Sequence, residues 1–140
     1  MQLSFHYDIE GFRLRDSRKI KRVIQKIIID GGKKPGKAEV IFTSDDKVLE
    51  INREFLSHDY LTDIITFDYS EGKVVNGEIY ISTDRIRENA KVNNVTLMNE
   101  AERVIFHGFL HLCGYGDSNK EEKAMMTERE DMYLALVKAE

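Results

Sequence analysis

His107 and His111 stand four residues apart in the stretch FHGFLHLCGYGD, Phe106 to Asp117. Residues at i and i+4 share one face of a helix, so two imidazoles at this spacing can reach a single cation, as zinc requires of a helix. Two ligands do not close a site. The turn Gly114-Tyr115-Gly116 can reverse the chain and return Asp117 to the histidine face, since glycine has no Cβ penalty where φ turns positive. A carboxylate oxygen is an acceptable zinc ligand, and an open fourth position would leave room for a catalytic water. Plainer roles exist for the same residues. A histidine pair on a helix is also ordinary packing or surface, and GDSN ahead of a helix is also capping sequence, with Asp117 or Ser118 accepting a backbone hydrogen bond. Cys113, two positions after His111, points away from the histidine face and reads as a small buried hydrophobe. His6 and His58 read as surface or loop residues. Gly108 occupies the position where a helical HExxH zinc protease carries its general base, which argues against peptide hydrolysis.

The elements that must position these groups follow from periodicity. Leu3, Phe5 and Tyr7 alternate with polar residues and predict a first strand. Asp16 or Ser17 can cap a helix in which Ile20, Val23, Ile24, Ile27 and Ile28 recur at helical spacing, ending at Gly31 and Gly32. KAEVIFTS predicts a second strand, and Ser44 can cap a helix whose apolar side is Val48, Leu49, Asn52 and Phe55. TDIITFDY and GEIYIS predict two more strands, joined through a loop containing Glu71, Gly72 and Asn76. A short polar helix from about Thr83 to Asn93 precedes a stronger one opened by Thr96 and ended by Gly114. A charged helix from about Asn119 to Ala139 closes the chain, with Met125, Met126, Met132, Leu134, Leu136 and Val137 as its apolar side. The order β, α, β, α, β, β, α, α, α predicts an α+β fold: one mixed sheet of about four strands packed with about five helices.

Length and composition fit a single domain over residues 1–140, with 41% hydrophobic and 33% charged residues. The one cysteine excludes an internal disulfide and suits a reducing compartment. MQLSFHY lacks the basic start and apolar run of a signal peptide, and no stretch approaches the length of a membrane span, so the expected location is cytoplasmic with no membrane partner. The net charge of −4 argues against a nucleic-acid binder, but its distribution is uneven. Residues 13–37 carry ten Lys/Arg against Asp16 and Asp30, which is +8, leaving −12 for the rest. That segment can form a basic face on an acidic protein, or simply the solvated side of an amphipathic helix.

Three blocks together resemble one family. HGFLHLCGYGD is similar to the signature HGxLHLxGYDH of the YbeY family, metal-dependent endoribonucleases of bacterial ribosomal RNA maturation. INREFLSHDYLTDIITFDY resembles the family's LNxxYRxxDxPTDVLSFxF segment, and GEIYIS its GDIxIS strand, in the family's order and spacing. The resemblance implies one zinc ion per chain on the long helix of the C-terminal half, with His107, His111 and Asp117 as metal ligands. It implies catalytic or cleft-lining roles for Thr62 and Asp63, whose plainer roles are a turn residue and a strand-entry hydrogen bond. It also implies single-stranded rRNA as substrate, action at the 16S rRNA 3′ end, and the small ribosomal subunit as partner.

Three positions depart from the pattern. Asp117 stands where the family usually has a third histidine, with Gly116 in place of the aspartate before it, and Leu56 stands where the family has an arginine. A carboxylate in the ligand set lowers the charge of the centre and predicts a weaker Lewis acid than three histidines give. Arg53, one turn before Leu56, is a substitute for the missing guanidinium or a solvated helix residue. These departures leave a second expectation, a non-catalytic ribosome- or RNA-binding module with a structural metal.

Overall fold

Capping and alternation place the elements where local chemistry asks for them. The computed structural model describes residues 1–139 and contains β1 (Gln2–Tyr7), α1 (Ser17–Asp30), β2 (Lys34–Thr43), α2 (Asp45–Leu56), β3 (Ile64–Asp68), β4 (Val74–Ser82), α3 (Thr83–Asn93), α4 (Leu97–Leu112) and α5 (Lys120–Ala139). The Ser44 hydroxyl accepts from the Lys47 amide at 3.2 Å, and the Thr96 hydroxyl accepts from the Asn99 amide at 3.0 Å. Each cap satisfies one of the amides that a helix start leaves without a partner. Asp16 departs from this pattern: it takes a left-handed conformation with φ 56° and its side chain caps nothing.

The four strands form one mixed sheet in the order β1-β2-β4-β3, with β1, β2 and β4 parallel and β3 antiparallel to β4. Fold class and element order therefore match the expectation from periodicity. One face of the sheet carries the main core. There α1 packs over β2, α4 packs over β3 and β4, and α5 lies against both helices. The other face is covered by α2, which sets Val48 and Ile51 against Ile65. No helix among the described residues is long and apolar enough to cross a membrane.

Three details differ from the sequence reading. The buried side of α2 is Val48, Ile51 and Asn52, and Phe55 is left in solvent. The hairpin closes at a Glu71 to Val74 bridge, and Asn76 lies inside β4, where its Oδ1 accepts from the Lys37 amide beside an irregularity in β2. On α5, Met125 and Met132 stay at the surface, while Glu130 and Tyr133 are buried with Met126, Leu134 and Val137. Tyr133 can be buried because its hydroxyl donates to Asp30 at 2.7 Å, a partner 103 residues away.

Candidate metal centre

Helix α4 presents Arg103, His107 and His111 at four-residue intervals along one face, while Val104, Ile105, Phe109 and Leu112 face the core. Gly108 sits where α4 crosses the sheet. A Cβ there would lie 2.9 Å from Ile64 Cδ1 and 3.0 Å from Ile79 Cδ1, so the position faces the sheet core and has no room for a glutamate base.

After α4 the chain turns sharply. Gly114 takes φ +101°, a conformation that favours glycine, and the Tyr115 amide donates back to the Leu110 carbonyl at 3.1 Å. The Tyr115 carbonyl then accepts from His111 Nδ1 at 2.8 Å. Gly116 has no positive φ, and a Cβ there would press on the Glu122 carboxylate, the end of a flexible side chain. That carboxylate accepts from the Ser118 hydroxyl at 2.6 Å, and Asn119 Oδ1 accepts from the Glu122 amide at 2.8 Å. Asn119 thus does the capping of α5 that the sequence offered to Asp117 or Ser118. Asp117 is left to face the histidines.

Three atoms converge. His107 Nε2 and His111 Nε2 are 2.9 Å apart, and Asp117 Oδ2 lies 3.3 Å from the first and 3.2 Å from the second. Ligands around a tetrahedral zinc are separated by roughly 3.4 Å, so this triangle is close to one face of such a tetrahedron. Both Nδ1 atoms already have partners: His111 the Tyr115 carbonyl, and His107 the Glu130 carboxylate at 2.7 Å. With Nδ1–H donated outward, each Nε2 presents a lone pair, the tautomer a metal requires. Donor set, spacing and tautomer all fit a divalent cation.

Glu130 is itself held. Arg103 donates to its other oxygen at 2.8 Å and to Asp131 at 2.6 Å, so the guanidinium is engaged in fixing the carboxylate behind His107. Burial alone would pull the His107 imidazole down, but the hydrogen bond and charge of Glu130, with Asp117 and Asp63 nearby, hold it above its ordinary value. Sequence reasoning missed both Glu130 and Arg103. Their only local signal was the i, i+4 spacing of Arg103 and His107.

The triangle opens on a cleft of about 320 Å³ lined by Asp63, Glu100, Arg103, Val104, His107, Asp117 and Glu130. Asp63 enters from the start of β3, and burial pushes its carboxyl above the ordinary value, against the pull of His107. Thr62 is not among the lining residues; its hydroxyl donates to the Ile64 carbonyl at 3.4 Å, the local turn role. Cys113 is buried in the core beside Gly31, and burial pushes its thiol up to about 11. His6 and His58 are exposed. The basic segment 13–37 contributes no residue to the cleft, although α1 packs against α4 as well as over β2. Arg53 is exposed and ion-paired with Asp59.

These features define a small α+β protein with a helix-borne candidate cation site of two histidines and one carboxylate in an acidic cleft. The sequence profile described as Endoribonuclease YbeY matches residues 8–138, and the chain belongs to the YbeY family. Two curated relatives named Endoribonuclease YbeY are similar over nearly their whole length. That of Phocaeicola vulgatus is 44% identical over 133 residues, 94% of this chain and 96% of the relative. That of Bacteroides thetaiotaomicron is 43% identical over 132 residues, 93% and 96% respectively. The solution structure of TM1509 from Thermotoga maritima superposes with a TM-score of 0.64 at 30% identity, covering 98% of this chain and 89% of that one.

Proposed function

We propose that this chain is a single-domain, metal-dependent endoribonuclease that cleaves single-stranded RNA, with His107, His111 and Asp117 holding one zinc ion. The observation that carries the reading is the convergence of three ligand atoms at the mouth of a cleft that also contains Asp63. When bound, the cation supplies Lewis acidity towards a phosphoryl oxygen and acidifies a bound water. It also supplies positive charge that the cleft lacks, since four carboxylates there face one guanidinium already paired with Glu130 and Asp131. Asp63 accepts the proton of the attacking hydroxyl, from water or the neighbouring 2′ carbon, and its raised pKa brings it nearer to the working range of a general base. Glu130 holds His107 in its metal-facing tautomer, and the Tyr115 carbonyl does the same for His111. The family's name supports RNA as substrate; within that class we assign the chain to cytoplasmic 16S rRNA 3′-end maturation on the small ribosomal subunit. The basic segment 13–37, which lines no part of the cleft, would meet RNA backbone beyond the cleavage point.

His111→Ala should lower zinc affinity by more than about 100-fold and abolish cleavage of a single-stranded rRNA fragment by identically purified protein. Cleavage by the variant equal to wild type would overturn the assignment. The rival reading, an RNA-binding module with a structural metal, is favoured by the absence of a free guanidinium in the cleft. It predicts no cleavage by either protein and RNA binding that survives zinc removal.

A further inference from the structure

We propose that the loop joining α2 to β3 is a base-stacking platform for single-stranded RNA at the edge of the metal cleft, with Tyr60 and His58 as its stacking surface. This rests on the endoribonuclease reading above and adds a substrate subsite to it. Four exposed large apolar side chains fall within residues 55–61: Phe55 at 63% exposure, Tyr60 at 56%, Leu61 at 42% and Leu56 at 39%. Such a concentration beside a functional cleft marks a binding surface.

The loop is built to hold these side chains outward. Asn52 is buried, its side-chain amide donates to the Tyr60 carbonyl at 2.8 Å, and its main-chain carbonyl accepts from the His58 amide at 3.0 Å. With the backbone pinned at both residues, the rings stack on each other at 5.0 Å and 23°, and Tyr60 Oη lies 3.1 Å from His58 Nδ1. Asp63 follows Tyr60 by three residues, a span of at most about 11 Å, so the platform is a short reach from the cleft. Phe55 stands edge-on to Phe67 at 6.1 Å on the α2 side of the sheet.

Charge selects the occupant. The cleft is lined by four carboxylates, and the nearby cations, Arg53 and Arg103, are each paired with carboxylates, so phosphates find no free guanidinium there. Beside the cleft, apart from the metal, the grip on a strand falls to its bases, and flat aromatic rings take any base by stacking.

The chain has no tryptophan, so Tyr60→Trp introduces a sole indole reporter at the platform. In EDTA, where RNA is not cut and the metal site plays no part, octaadenylate should quench that indole, and an abasic ribose-phosphate octamer should not. In zinc-loaded protein, Tyr60→Ala should raise KM about tenfold with kcat unchanged, and Tyr60→Phe should keep the wild-type KM. Unquenched indole together with wild-type KM in Tyr60→Ala would overturn the platform and assign the loop to a protein partner. Quenching without any His111-dependent cleavage would uphold the platform and sink the endoribonuclease reading.

Discussion

Two polar clusters of similar composition sit at different corners of the molecule. At the starts of α2 and α3, Asp45 accepts from the Ser82 hydroxyl at 2.6 Å and from Arg85 Nε at 3.1 Å, while Asp84 accepts from the Asp45 amide at 2.9 Å. Each acceptor there meets a donor, and the network closes on itself. On α4 the chain of contacts runs from Arg103 to Glu130 to His107 and then ends against His111 Nε2 and Asp117 Oδ2, acceptors facing acceptors. A closed network ties helices together. An unfinished one, short of positive charge, is a candidate cation site.

The contrast can be tested from its open end. Glu130→Gln keeps the size of the side chain but weakens its hold on Nδ1 of His107; it should cut zinc affinity about 10- to 100-fold, measured by chelator competition, with a smaller effect on the folding of the metal-free protein. Unchanged affinity would make Glu130 part of a structural network like that of Asp45. The closed cluster should respond in the opposite way: Asp45→Ala should lower Tm by on the order of 5 °C and leave zinc affinity at the wild-type level.

The smallest effect on stability concerns Asp63. Burial raises its carboxyl pKa in the folded chain above the ordinary value of about 3.9. Stability linked to its protonation is complete below the unfolded pKa and is lost as pH rises through the folded one. Near neutrality the buried charge therefore opposes folding. Asp63→Asn should raise the Tm of the metal-free protein at about pH 7, with the gain shrinking towards about pH 4, while cleavage by the zinc-loaded enzyme is lost. A Tm gain independent of pH would contradict this account.

Much of the architecture was legible because its causes are local. Ser44 and Thr96 cap the helices they precede, and the period of Ile20 to Ile28 names the buried side of α1. The faces of α2 and α5 were read less well. Glu130 and Tyr133 look solvent-bound in a charged helix and are buried only because Arg103, His107 and Asp30 come to them from distant segments. Thr62 and Asp63, adjacent in sequence, part company for a similar reason: one hydroxyl is satisfied within its own turn, and the other side chain enters the cleft.

By itself the sequence determined the order of elements, the helical pairing of His107 with His111, and Asp117 as a third candidate ligand, since caps and a four-residue spacing act within one or two turns. Tertiary structure alone decided the sheet order, the release of Asp117 from capping by Asn119, and the carboxylate behind His107. It also left the basic segment 13–37 out of the cleft lining. Each of these depends on which surfaces must be buried together, and burial is a property of the whole chain.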